Sequence, residues 1–317
     1  MNSSLITPVR VRSAGMSHEG PRRQYNEDAF GIVEDATGAL AVVADGMGAS
    51  RSGRPAADLA VETCTESFRV RSASALEELA EIWWAAEHAA DPGKPGGPRP
   101  RPDEALPIAD RAELRERVGL VLARRVPDSM GDVAILEAET RVILELPART
   151  LERSNGSIYR LAERDPTHWR GHGAAAVCAI SAAGQAFIAH VGDSRVSLVR
   201  GQSIEALTQE HTILNDYKNL NIAITPEQIA EIPQNVITRA LGMRDTVKVD
   251  TRAVPIQTGD SFVLASDGIW RAFSPAEILA AVRAHGVNAA AELVKRGMDD
   301  HADHPGDNLT VVVVEIL

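Results

Sequence analysis

The feature that most constrains this chain is a recurring pattern: short apolar runs that end in acidic residues. Ala41-Val42-Val43-Ala44 runs directly into Asp45-Gly46-Met47-Gly48. Four apolar residues bounded by a glycine turn predict a short buried strand, with Asp45 where the strand stops. A carboxylate there is badly placed for a solvated surface charge. It is well placed to hold a cation at the rim of a core. Gly46 and Gly48 carry no side chains, so the backbone itself can approach a ligand closely. The pattern returns in Phe262-Val263-Leu264-Ala265-Ser266-Asp267-Gly268 and in Ile188-Ala189-His190-Val191-Gly192-Asp193-Ser194. With Glu27-Asp28 and Asp307-Asn308, acidic residues stand at strand ends in five separate parts of the chain. Hard oxygen ligands gathered in this way select Mg²⁺ or Mn²⁺.

Other function classes are excluded by composition. The net charge is −11 over 317 residues, which argues against nucleic acid as a partner, because phosphate backbones need clustered Lys and Arg. No apolar run reaches membrane-spanning length, and no secretion signal is visible at Met1-Asn2-Ser3-Ser4. The two cysteines, Cys64 and Cys178, sit in apolar runs and read as buried thiols in a reducing cytosol. A cytoplasmic location is therefore expected. Hydrophobic residues make up 44% and aromatics only 4%, so Val, Ile, Leu and Ala must fill the core.

Along the chain, strands are expected at 9–15, 29–34 and up to Asp45. A helix opened by Pro55 follows, with Ala56, Ala60, Cys64 and Phe68 facing a sheet. Residues 75–90 and 111–125 read as helices around a Pro/Gly-rich connector at 91–107. A helix from about Ala134 to Arg164 is expected to break or kink near Pro147. Four short strands between Ala174 and Ala206 read as one antiparallel meander. Thr225-Pro226-Glu227-Gln228 and Ser274-Pro275-Ala276-Glu277 are both capping boxes. Strands return at 247–255 and 261–266, helices at about 275–284 and 288–299. Leu309 to Ile316 is a continuous apolar run and must be a central strand. These elements predict an α+β fold in a single domain over 1–317, with a change of texture from about residue 72 and a polar stretch at 208–240.

Two adjacent hard cations would polarise a phosphate oxygen and lower the pKa of a bridging water from ~15.7 towards ~7. Hydrolysis then needs no protein nucleophile. Asp45 is the candidate bridge, with the Gly46 carbonyl as an added ligand. Arg23, close to Glu27 and Asp28, is the natural fork for the remaining phosphate oxygens. One Asp-Gly alone would be an ordinary turn; its repetition is what carries weight. His301 and His304, near Asp307, read as solvated loop residues, because hard-cation sites prefer oxygen. His172 and His190 read as strand residues, and Trp83-Trp84 as packing of the insertion or a docking surface.

Arg23-xx-Asn26-Glu27-Asp28, Val43-Ala44-Asp45-Gly46-Met47-Gly48, Val191-Gly192-Asp193-Ser194-Arg195, Ile237-Thr238-Arg239-Ala240-Leu241-Gly242, Ala265-Ser266-Asp267-Gly268 and Asp307-Asn308-Leu309-Thr310 occur in this order. Together they resemble the metal-dependent Ser/Thr protein phosphatases of type 2C in their bacterial form, over about residues 9–71 and 135–317. The resemblance implies a four-layer sandwich of two antiparallel sheets flanked by helices, with metals in a cleft at one end. It implies that Asp45, Asp267 and Asp307 hold one ion, and that Glu27, Asp45 and the Gly46 carbonyl hold a second. Asp193 with Asp267 would hold a third, weaker one. Asp28 would hydrogen-bond metal-held water, and Arg23 would bind phosphate. Residues 208–240 match the flap beside the cleft, and about 72–134 is an insertion without a counterpart in the family pattern. The implied substrates are phosphoserine and phosphothreonine in proteins, in opposition to a Ser/Thr kinase. Alternatives are a catalytically weak phosphoprotein-binding module of the same fold, or a regulator specific for one phosphorylated partner. The chain departs from the family pattern at Gly171-His172-Gly173-Ala174-Ala175, Ala49 and Arg54. Where some members carry a histidine acid it has Met47. None of these departures removes a ligand.

Overall fold

The computed structural model describes residues 9–35, 38–48, 53–69, 128–182, 184–220, 236–299 and 306–317. The expected elements at 75–90, 91–107 and 111–125, the Trp83-Trp84 pair, the Thr225 capping box and His301 and His304 lie outside these residues. Thr7–Phe68 and Pro147–Leu317 form one compact unit; Met1–Ile6 and Arg69–Leu146 form another. The first of these contains all ten strands of the described residues.

Its strands are β1 (Val11–His18), β2 (Asp28–Asp35), β3 (Gly38–Met47), β4 (Gly173–Ala182), β5 (Gln185–Val191), β6 (Arg195–Arg200), β7 (Ser203–Ala206), β8 (Asp250–Pro255), β9 (Ser261–Ala265) and β10 (Leu309–Ile316). They form two five-stranded antiparallel sheets, ordered β1-β10-β9-β6-β7 and β2-β3-β4-β5-β8. The apolar run of β10 is explained by its place. Strand β10 lies between β1 and β9, and successive side chains face opposite sides. Val312 and Val314 pack with Ala41, Val43, Val177, Ile188, Phe262 and Leu264 between the two sheets. Val311 and Val313 pack with Ile278, Val282, Leu293 and Val294 of the C-terminal helices. A strand covered on both faces has no polar position to offer.

The other sheet is covered by a helix over 54–69, whose Ala56, Ala57, Ala60, Cys64 and Phe68 are fully buried. The fit is close: a Cβ on Gly31 of β2 would lie 2.8 Å from both Val61 and Thr65. Cys64 and Cys178 are buried and free. Leu151 and Ile158, in the helix Asp128–Arg164, are also fully buried. The architecture is thus the expected α+β sandwich.

Two expectations are corrected, one is narrowed and one element is added. The strands between Gly173 and Ala206 are not one meander. Strand β4 pairs with β5 in one sheet and β6 with β7 in the other, so the chain crosses between sheets at Gly192–Ser194. Of the break or kink expected near Pro147, the break does not occur, since the helix Asp128–Arg164 runs through that residue; the boundary between the two compact units falls there. Strand β3 does not stop at Asp45 but pairs on with β4 through Gly46 and Met47. Finally, a short helix Ile213–Asn219, N-capped by the Thr212 hydroxyl, stands in the expected flap. The Ser274 capping box is present as read, with Ser274 and Glu277 bonding reciprocally. Among the described residues, no helix is long and apolar enough to cross a membrane.

Candidate metal centre

At one end of the sandwich, β2 begins where β3 is about to end, and Asp28 stands directly opposite Asp45. Like charges in that register repel. Beside them, Gly46 N–H donates to the Glu27 carbonyl at 3.2 Å. A Cβ on Gly46 would lie 2.3 Å from the Gly53 carbonyl oxygen and 2.6 Å from that of Glu27, so only glycine lets three backbones meet there. Gly53 N–H in turn donates to Glu27 Oε1, which fixes the carboxylate next to Gly46.

The second sheet brings the remaining acids. Strand β9 ends at Ala265, and Asp267 is the first residue of the helix Asp267–Ala272. Asp307 and Asn308 lead directly into β10. Because β9 and β10 are neighbours, Ser266 N–H donates to the Thr310 carbonyl at 3.0 Å. A Cβ on Gly268 would lie 2.0 Å from the Asn308 carbonyl oxygen, so the two acidic segments are in contact through backbone. Asp193 sits in the turn that crosses from β5 to β6.

Burial first, then the charges of Asp28, Asp267, Asp193 and Asp307, pushes the Asp45 carboxyl well above the ordinary range. Asp28 is raised to about 7 by burial, against the pull of the Ser266 and Thr310 hydroxyls. Burial and Asp267 raise Asp193 to about 7. Burial also raises Asp267, and Arg271 at 2.8 Å offsets part of that. Arg23 is a further nearby cation, its guanidinium 2.8 Å from Asp307 Oδ1. It stands at an open cleft lined by Gln24, Tyr25, Glu27 and Gly48. Asp28 accepts from the Ser266 hydroxyl at 2.7 Å through Oδ2, while its buried Oδ1 has no partner among the described residues. An orphaned carboxylate oxygen among mutually repelling carboxylates fits divalent hard cations.

The fold therefore gathers Glu27, Asp28, Asp45, Gly46, Asp193, Asp267 and Asp307 around one end of the sandwich, with Arg23 at the cleft. Asn308 is a residue whose work the sequence reading missed. Its Oδ1 accepts from Glu27 N–H at 3.0 Å, and its amide donates to the Glu19 and Tyr25 carbonyls, both at 2.9 Å. This one buried side chain ties the Arg23–Glu27 loop to the start of β10. Its place next to Asp307 was visible in the sequence; its three long-range partners were not.

The chain matches the profile of the family described as Protein phosphatase 2C over residues 14–300, and it belongs to that family. It is 25% identical over 306 residues to "Serine/threonine phosphatase stp" of Listeria welshimeri, covering 93% of this chain and 92% of that protein. To "Protein phosphatase PhpP" of Streptococcus pneumoniae it is 31% identical over 156 residues, 47% of this chain and 62% of that one. The Mycobacterium tuberculosis serine/threonine phosphatase PstP/Ppp superposes with a TM-score of 0.59 at 25% identity, over 96% of this chain and 98% of that chain. A structure of the PstP catalytic domain in complex with two manganese ions gives 0.59 at 23%, over 98% of this chain and 100% of that chain.

Two outcomes follow from this geometry. Asn308→Ala takes the donor from the Glu19 and Tyr25 carbonyls and the acceptor from Glu27 N–H, and should cost on the order of 1–3 kcal/mol. Thermal unfolding with and without Mn²⁺ measures it, and an unchanged Tm in both would show that the loop is held elsewhere. The second concerns pH. A carboxylate whose folded pKa is raised contributes stability that is full below its unfolded pKa, near 4, and is lost as pH rises through its folded value. For Asp28 and Asp193 that window runs up to about 7. A cation needs ionised ligands and must displace those protons. The rise in Tm caused by Mn²⁺, relative to a chelator control at the same pH, should therefore grow from about pH 5 to about pH 7 and then level off. A rise independent of pH would mean that the metal-free carboxylates are already ionised.

Proposed function

We propose that this chain hydrolyses phosphoserine and phosphothreonine in proteins, with two Mn²⁺ or Mg²⁺ ions and a third, weaker one, and so opposes a Ser/Thr kinase. The observation that carries the reading is the set of repelling carboxylates at the sandwich end, with an arginine at the adjoining cleft. Family membership, the phosphatase relatives and the manganese ions of the PstP structure support it.

Asp45, Asp267 and Asp307 would hold one cation, Glu27, Asp45 and the Gly46 carbonyl another, and Asp193 with Asp267 the weak third. Bound there, the cations supply Lewis acidity and a water of lowered pKa. The chain's own residues do the rest. Arg23 offers two parallel N–H groups to phosphate oxygens, and its partner Asp307 holds it at the cleft. The free Oδ1 of Asp28 is the acceptor that orients a water proton, with Oδ2 pinned by Ser266. Met47, beside Gly46, has no proton to donate, so a water or another group must protonate the leaving alcohol. Oxygen donors fit the hardness of both Mn²⁺ and Mg²⁺.

The deciding experiment is hydrolysis of phosphoserine and phosphothreonine peptides with Mn²⁺, with Mg²⁺ and with chelator. Turnover in the presence of chelator, or none with either ion, would sink the proposal. Asp45→Asn removes the charge shared by two cations, and turnover should fall by orders of magnitude while the fold persists. A folded variant with near-wild-type activity would show that Asp45 bridges nothing. Arg23→Ala should raise KM with a smaller fall in kcat, as expected for a group that binds phosphate in both ground and transition states. Unchanged kinetics on a phosphopeptide would place the clamp elsewhere.

A further inference from the structure

Away from the carboxylates, the described residues bring His190, His211 and Asp250 together, with ligating atoms within 4.8 Å of one another. Two imidazoles and a carboxylate are a metal-binding set in composition, but lone pairs exclude that use here. His211 Nδ1 accepts from Gly192 N–H at 3.0 Å. A neutral imidazole has one acceptor nitrogen and one donor, so Nε2 carries the proton and donates to Asp250 Oδ2 at 3.2 Å. Arg239 Nη1 donates to Asp250 Oδ1 at 2.9 Å and lies 3.0 Å from His211 Nε2, which in this tautomer has no lone pair left for a metal. His190 stacks on His211 with centroids 4.6 Å apart and donates through Nε2 to the Gln209 carbonyl at 2.8 Å. The group is a hydrogen-bond network, and its output is the bond to Gly192.

Gly192 precedes Asp193 in the one connection that crosses from β5 to β6. Its φ is +101°, and a Cβ there would lie 2.3 Å from the Ala175 Cβ. The turn is gripped twice by His211: the ring takes Gly192 N–H, and His211 N–H donates to the Gly192 carbonyl at 2.8 Å. On the far side of Asp193, Arg195 pairs with Glu210, the residue next to His211. Thr238 N–H donates to the His211 carbonyl at 2.8 Å, and Thr212 bridges to Ile237. Both described ends of the expected flap are therefore joined to the same turn.

We propose that His211, held from behind by Asp250 and Arg239, is a positioning residue that fixes the Gly192–Asp193 turn and so sets the affinity of the weakest cation site. The inference rests on the reading of Asp193 as a ligand of that site. Burial pushes the His211 pKa down to about 4, so the ring stays neutral and its acceptor is retained at working pH. Outer-shell partners of this kind change metal affinity by about 10–100-fold when lost.

The test is a titration of the full chain with Mn²⁺, following free Mn²⁺ by its electron paramagnetic resonance signal, alongside Tm. His211→Gln keeps a polar head but moves its acceptor away from Gly192. It should weaken the weakest class of Mn²⁺ site by about tenfold or more and leave the tighter sites within about twofold. His211→Asn, whose amide oxygen can still reach Gly192 N–H, should recover most of the loss. In an Asp193→Ala background, His211→Gln should add nothing. Wild-type Mn²⁺ binding in folded His211→Gln, or the same extra loss on top of Asp193→Ala, overturns the proposal. Should His211→Gln fail to fold, His211→Asn and Asp250→Asn are titrated instead. Wild-type weak-site affinity for Asp250→Asn, or a loss for His211→Asn as large as that of Asp193→Ala, also overturns it. If Asp193→Ala alone leaves Mn²⁺ binding unchanged, Asp193 is not a ligand; that result refutes the site reading rather than the wiring of the turn.

Discussion

Mutual repulsion among five carboxylates, Asp28, Asp45, Asp193, Asp267 and Asp307, is the constraint on which the rest of this structure depends. No unfolded or loosely packed chain would hold them together, because like charges brought close without counter-ions repel. The frame that does so is apolar on both sides of its central strands. Every residue of β10 except Glu315 is buried, and the inner faces of β3, β4, β5, β6, β9 and β10 interlock between the sheets. The stability is made in that core; the acids draw on it at its edge. Such a site is strained when empty and relaxed by divalent cations, so metal binding and folding are linked.

Much of this was legible in the sequence, for a physical reason. Strands buried on two faces read as continuous apolar runs, so β3 and β10 declared themselves, and Ser274-Pro275-Ala276-Glu277 carried its cap in four adjacent residues. The acidic residues were legible because each interrupts or ends such a run. What stayed hidden were decisions made between distant segments. Strands β4 to β7 look alike locally, and nothing within them says that β5 and β6 belong to different sheets. Asp45 looked like a strand end because glycine followed it. The partner β4 carries the pairing two residues further. Pro147 removes one helical donor, a local penalty that the packing around Leu151 and Ile158 outweighs.

The neutral side chains of the site show the same limit more sharply. A carboxylate cluster signals itself by charge, but Asn308, Ser266 and His211 signal nothing by type. Asn308 matters because its side chain reaches Glu19, Tyr25 and Glu27. Ser266 matters because its hydroxyl takes one oxygen of Asp28 and leaves the other free. These are properties of contact, established only when β9 and β10 lie side by side.

The crossing at Gly192–Ser194 makes the case most clearly. Acids contributed by β2 and β3 are fixed by pairing within one sheet, and those next to β9 and β10 by pairing within the other. Asp193 belongs to neither ladder, since it lies in the step between them. A residue in that position has no strand partner to fix its backbone, and its neighbours must be held by side chains instead. Gly192 is held by His211 and Arg195 by Glu210, and both holders come from one short stretch of chain. The acid with the least support from the sheets is thus the one whose placement depends on hydrogen bonds and an ion pair. For that reason, if Asp193 holds a cation as proposed, that cation would be the weakest bound and the most open to adjustment.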